Sequence, residues 1–267
     1  MLWVSVLLAC VLSFGAAAAE ETHAGPPQPA TIPPHAVEPS PTYLEGSIAG
    51  QKYLEVILGG ARPEDELPML VAIHGLGSHT RHFGKVFAGV REPVRLILPQ
   101  GYTRHKRGYS WFPVQVKMGD FTQMEQGIKT ATEKVGDLIA SLLKVRPTRG
   151  MPIVTGYSQG GMLTFSLVLY RPEVVGFAIP VSGFLPPGLL PRERVAGVKY
   201  PPVRALHGFL DKRIRIQWVR NGVKHLNGIG LDVTLHEYAR AGHRLAPTMN
   251  QQLFTLIGKA LAQAEGG

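Results

Sequence analysis

Apolar residues follow two rhythms along this chain. Leu54–Leu58, Met69–Ile73, Val94–Leu98, Pro152–Gly156, Val175–Val181, Val203–Leu206 and Leu231–Tyr238 are short runs rich in Val, Ile and Leu. Several are almost continuously apolar, the mark of parallel strands covered on both faces. Between them the spacing changes. From Gln123 to Lys144, the residues Met124, Ile128, Ala131, Val135, Leu138 and Leu142 recur every three or four positions, which lays one apolar stripe along a helix. Thr122, with Glu125 three residues on, predicts a capping box at its start. A second helix is expected to begin at Gln159. A third is expected from about Ala246 to Ala262, with Pro247 in its first turn and Leu253, Leu256, Ile257, Ala260 and Leu261 on its buried face. Strands alternating with helices predict an α/β fold, a mostly parallel central sheet flanked by helices on both faces.

The pattern breaks down towards the N-terminus. Residues 1–19 carry no charge, are apolar from Leu2 to Phe14, and end in alanines before Glu20. This predicts a cleaved export signal, shorter than the roughly 20 residues a membrane span needs; an uncleaved N-terminal anchor is the alternative. Residues 20–42 are rich in proline and poor in large apolar side chains, as in an extended linker. The folded domain is expected over residues 43–267. The expected location is periplasmic or extracellular, with no stable membrane span once the signal is removed.

Composition narrows the chemistry. Cys10 is the only cysteine and lies in the expected signal, so disulfides, thiolate zinc sites and cysteine nucleophiles are excluded from the remainder. The net charge of +9 leaves a nucleic-acid partner open on charge alone. The basic run Arg104–Arg107, beside Tyr109 and Trp111, belongs to no nucleic-acid-binding pattern, however, and is expected to be a solvated loop. No nucleic-acid partner is therefore expected. His74, His79 and His82 lack a nearby carboxylate and helical i,i+4 spacing, so no metal is expected.

One short stretch carries the candidate chemistry. Residues 156–161 read GYSQGG, with a strand ending at the first glycine and an apolar helical run, Met162–Val168, beginning just after the last. A G-x-S-x-G pentapeptide between strand and helix places its serine on a sharp, strained turn, with the helix N-terminus beneath it. Ser158 is thus a candidate nucleophile. It needs a base, and the base needs an orienting acid. His243, in the loop between the last strand and the last helix, has the position for the base. His207 comes too early in the chain, His236 falls inside a strand, and His225 is expected mid-helix and solvated. Asp211 follows the strand Val203–Leu206 and is the expected acid; Asp232 and Glu237 compete, but both lie in the last strand. Backbone amides of Gln159 and of Leu76, in the loop His74–Ser78, are the expected oxyanion donors.

These stretches resemble the α/β-hydrolase superfamily, and within it the phospholipase/carboxylesterase family that includes the acyl-protein thioesterases. The resemblance rests on HGLGS (74–78), LPQG (98–101), YSWF (109–112), GYSQGGM (156–162), VSG (181–183), HGFLDKRI (207–214) and AGH (241–243). It implies an α/β-hydrolase fold, the triad Ser158, Asp211 and His243, and the oxyanion amides of Leu76 and Gln159. Trp111, Tyr157 and Phe184 are expected in the substrate pocket. Two departures, Pro113 after the aromatic pair and Phe209-Leu210 before the acid, direct attention to the pocket wall. The expected activity is hydrolysis of a small-molecule or polymer-linked carboxylic ester without a cofactor. A thioester or peptide bond is an alternative, as is a tethered binding module without activity.

Overall fold

The computed structural model describes residues 41–114 and 120–265. The expected signal and nearly all of the expected linker lie outside the described residues. The described residues begin with a hairpin, β1 (Thr42–Ile48) and β2 (Gln51–Leu58), whose turn places Ala49 and Gly50 both at positive φ. That is the turn that suits two twisted antiparallel strands. Then follow β3 (Met69–Ile73), the short helix α1 (Thr80–Gly84) and β4 (Val94–Pro99). A small hairpin, β5 (Thr103–His105) and β6 (Gly108–Ser110), leads to the long helix α2 (Thr122–Val145). The remainder alternates: β7 (Ile153–Tyr157), α3 (Gln159–Tyr170), β8 (Phe177–Val181), β9 (Val203–Gly208), α4 (Ile216–Gly228), β10 (Val233–Tyr238) and α5 (Pro247–Glu265).

Eight strands form one sheet in the order β1-β2-β4-β3-β7-β8-β9-β10. The contacts of β2 with β1 and β4 are antiparallel, and all others are parallel. Alternation along the strands sorts the core into two layers. Met69, Val71 and Ile73 face α2, α3 and α4, whereas Leu70 and Ala72 face α1 and α5. The stripe on α2 is buried as the spacing predicts, and α3, buried from Gln159 to Leu169, is wedged between α2 and the sheet. The sheet turns from one winding direction to the other at β3 and β7, and ligands gather at the carboxyl ends of strands flanking such a point. Those ends carry the loop His74–Ser78 and Ser158.

Three expectations change. Thr122 and Glu125 form no capping box: the Asp120 carboxylate accepts the Thr122 N–H instead, and Glu125 accepts the Gly188 N–H at 2.9 Å. The basic run is the tip of the β5–β6 hairpin rather than a loop, with Lys106 at positive φ and Arg104 over the Tyr109 ring at 5.1 Å. His225 is not simply solvated, because its Nε2 bonds the Pro191 carbonyl at 2.6 Å.

Candidate active site

Ser158 occupies the N-cap of α3 at φ 57°, ψ −112°, a conformation a side chain strongly disfavours. Such strain costs about 1–3 kcal/mol and persists only where the surroundings impose it. Here the packing does so. A Cβ at Gly160 would lie 1.9 Å from the Ile73 carbonyl oxygen, and one at Gly156 would lie 2.4 Å from that of Gly160. The elbow therefore closes onto β3 only with glycine at both places. A serine at this position ordinarily spends its hydroxyl capping the helix. Ser158 makes no such bond; its Oγ lies 2.9 Å from His243 Nε2.

The line continues. His243 Nδ1 donates to Asp211 Oδ2 at 2.7 Å, which leaves Nε2 as the acceptor for the serine proton. The other Asp211 oxygen accepts the backbone N–H groups of Arg213 and Ile214 at 2.8 and 2.9 Å. The competing acids are engaged elsewhere: Asp232 pairs with Arg204 and Glu237 with Arg220. Leu76 lies in the loop after β3 and lines the cavity with the serine, and Gln159 begins α3. Among the described residues, neither backbone amide has a backbone acceptor, whereas Gly77, Ser78 and Ser158 each donate to a carbonyl.

Ser158 and His243 open into a cavity of about 440 Å³. Its walls are mostly apolar, with Val114, Phe121, Met124, Met162, Phe184 and Trp218 prominent and Tyr157 beside the serine. Phe121, Phe184 and Trp218 pack ring against ring at 5.1–6.0 Å. Trp111 is a correction: it does not line the cavity. It is buried behind the elbow, where its indole N–H donates to the His74 carbonyl at 2.8 Å and its ring meets those of His74 and Tyr102. An indole needs an acceptor when buried, and this one finds it away from the pocket.

The phospholipase/carboxylesterase family profile matches residues 54–261 of the 267. The chain belongs to this family. Curated relatives from rice (Oryza sativa subsp. japonica) include a protein named probable inactive carboxylesterase, 34% identical over 122 residues. That match covers 45% of this chain and 50% of the relative. Another, named probable carboxylesterase, is 28% identical over 154 residues, 55% of each chain. The chain thus spans about half the length of the curated relatives it matches. Among solved structures, esterase PE8 superposes with a TM-score of 0.66 at 23% identity, covering 76% of this chain and 98% of that one. Maize (Zea mays) acyl-protein thioesterase 2 gives a TM-score of 0.62 at 18% identity, covering 75% and 97%. The architecture is the α/β-hydrolase fold.

Three residues of this family member act from behind the site. The Gln159 side chain is buried; its Oε1 accepts the main-chain N–H of Trp111 at 3.1 Å and its Nε2 donates to the Phe112 carbonyl at 2.8 Å. The residue expected to act through its backbone amide thus also fastens the segment 110–112 with its side chain. His74 Nδ1 donates to the Gly75 carbonyl at 2.8 Å, and its Nε2 accepts the Gly101 N–H at 3.0 Å. Burial, with help from the His79 charge and against the Gly75 hydrogen bond, lowers its pKa to about 4, so it stays neutral. His207 Nε2 donates to the Ile214 carbonyl at 2.9 Å and stands 3.5 Å from Asp211 Oδ2, behind the acid and out of reach of the serine. Its pKa is also lowered, chiefly by burial. His74 directly after β3 and His207 near the end of β9 were the available signal. The side-chain role of Gln159 had none. Among the described residues no group of three or more His, Cys, Asp or Glu could hold a metal, and no helix is long and apolar enough to cross a membrane.

Proposed function

We propose that this chain is an exported serine esterase that hydrolyses carboxylic esters through an acyl-enzyme. The observation that carries the reading is the hydrogen-bonded line Ser158–His243–Asp211 at the mouth of an apolar cavity. In the reaction, Ser158 Oγ attacks the acyl carbon while its proton passes to His243 Nε2. Asp211 holds the imidazole in the required tautomer and stabilises its charged form. The Leu76 and Gln159 amides receive the oxyanion. His243 then returns the proton to the leaving alcohol. Water attacks the acyl-enzyme by the same route in reverse, releasing the acid. Each proton moves between Ser158, His243, the leaving alcohol and water, so no cofactor enters. The substrate is a small-molecule or polymer-linked ester whose apolar part lies against Phe121, Phe184 and Trp218. Export rests on the apolar, uncharged N-terminal segment.

Inactivity is in the name of one rice relative and is said of that protein. Here the hydrogen-bonded line of Ser158, His243 and Asp211 supports an active enzyme. Labelling with a fluorophosphonate probe tests the reading. The wild type is expected to label at Ser158 and to turn over chromogenic esters. Ser158→Ala is expected to lose both, its turnover falling by several orders of magnitude with the fold retained. An unlabelled wild type, or near-normal turnover in Ser158→Ala, overturns it. Matched oxygen and sulfur esters in the same assay separate esterase from thioesterase.

A further inference from the structure

One charged side chain in the cavity wall has no part in the chemistry above. Arg213 lines the cavity together with Ser158 and His243, among otherwise apolar or neutral groups. No carboxylate pairs with it among the described residues, and its side chain is exposed. Yet its backbone is fixed. Asp211 Oδ1 holds the Arg213 N–H at 2.8 Å and the Ile214 N–H at 2.9 Å, while Oδ2 of the same carboxylate orients His243. The group that positions the base therefore also sets where Arg213 leaves the main chain.

The surroundings reinforce its charge. Lys212, Arg215, Arg240 and Arg244, in the acid and base loops, are exposed as well. Across residues 208–216 and 239–246 the only acidic residue is Asp211, whose side chain is buried and fully engaged. Glu237, at the end of β10, is held by Arg220. Tyr157 supplies no counter-charge, because burial, then the Asp211 charge, pushes its hydroxyl up to about 12. The mouth of the cavity is thus positive and its depth apolar. A field of one sign at a cleft draws ligands of the other, and a guanidinium fork matches the paired oxygens of a carboxylate or phosphate.

Resting on the esterase reading, we propose that the preferred substrates are esters bearing an anionic oxyacid group, a carboxylate or phosphate, and that Arg213 receives that group. The apolar part of the substrate occupies the Phe121–Phe184–Trp218 wall, the ester lies at Ser158, and the anion meets Arg213. Arg213 is then a specificity residue.

The test compares three nitrophenyl esters of matched length at low ionic strength, each corrected with Ser158→Ala. One is neutral, one carries a carboxylate at the end of the acyl chain, and one carries it on the leaving group. At least one anionic ester is expected to exceed the neutral one in kcat/KM by roughly tenfold to a hundredfold, the range of a charge-assisted contact. Which one it is shows the side of the ester that faces Arg213. That ratio is expected to fall to about one in Arg213→Gln, to survive in part in Arg213→Lys, and to shrink in high salt. Arg240→Gln, outside the cavity wall, is expected to change it only a few-fold. A wild-type ratio at or below one with the neutral ester still hydrolysed overturns the proposal and leaves the esterase reading standing. So does a ratio that persists in Arg213→Gln. Hydrolysis of none of the three overturns both.

Discussion

Two buried polar clusters sit at opposite ends of the same sheet, and they are built differently. At the start of β4, Arg95 pairs with Glu55 and donates to the carbonyls of Pro63 and Asp65, while Arg146 closes on Glu55 from the end of α2 at 3.0 Å. Glu55 and Arg95 have no exposed side-chain surface, and all of their polar atoms but the Arg95 Nε find protein partners. At the carboxyl ends of β7, β9 and β10, Ser158, Asp211 and His243 are also hydrogen-bonded. There, however, the chain of bonds ends in a cavity, beside two backbone amides without backbone acceptors and a serine in a strained conformation. A closed cluster locks the fold. An open one, held in place by strain and glycine packing, has donors left over for something that arrives. Burial of charge alone does not separate the two; what faces the open side does.

The sharpest way to test that difference is to damage each cluster by one atom type. Asp211→Asn keeps an oxygen for the Arg213 and Ile214 amides but turns an N–H₂ towards His243 Nδ1, which favours the wrong tautomer. We expect kcat to fall about 10⁴-fold, with thermal stability changed little, measured by ester turnover and by melting. Glu55→Gln should do the reverse. It leaves Arg95 buried against a neutral partner, so we expect a loss of about 3–5 kcal/mol in denaturant unfolding, with kcat of the remaining folded protein near wild type. Equal kinetic and stability losses in either variant would break the distinction.

His74 lies between the two types. It is buried and satisfied like the closed cluster, but it braces the loop that carries Leu76. Its pKa of about 4 in the fold, against 6.5 when free, means that the unfolded chain binds a proton between those values and the native chain does not. Stability therefore rises with pH across this window and is lost as pH falls from 6.5 towards 4, by up to about 3 kcal/mol. His74→Gln, which keeps an acceptor for Gly101 but cannot titrate, is expected to flatten the stability curve over that interval. An unchanged slope in a pH series of urea melts would show that His74 is not its source.

Much of this was legible in the chain because period and chain order carry it. The three-four spacing from Met124 to Leu142 gave α2, and the run Met69–Ile73 gave β3. The order Ser158, Asp211, His243 after strand ends selected the three side chains that the structure brings together. Missed elements lacked a buried face to write a pattern. β1 is largely exposed, and β5 and β6 are three residues each. Phe121 and Trp218 reach the pocket from a polar loop and from an amphipathic helix, where nothing local marks them. Trp111 was misplaced because an aromatic pair near a site motif fits a pocket wall and a buried brace equally well. Only the acceptor of its N–H distinguishes the two.

Gln159 joins the two kinds of cluster within one residue. Its backbone amide belongs to the open side, and its side chain forms a small closed set with Trp111 N–H, the Phe112 carbonyl and Ser110 Oγ. Gln159→Leu preserves the main-chain amide and much of the volume but strands those buried partners. Leaving a buried donor or acceptor unmade costs about 1–3 kcal/mol. For a domain of this size that is a melting shift of roughly 2–4 °C per kcal/mol. Because the backbone donor remains, kcat should fall far less than in Asp211→Asn, by about tenfold or less. Any loss should come from movement of the segment 110–112 and the elbow it steadies. If the variant instead matched Ser158→Ala in turnover while melting normally, the side chain would belong to the open cluster after all. The separation drawn between closed and open bonding would then have to run through the middle of a residue's side chain rather than between its side chain and its backbone.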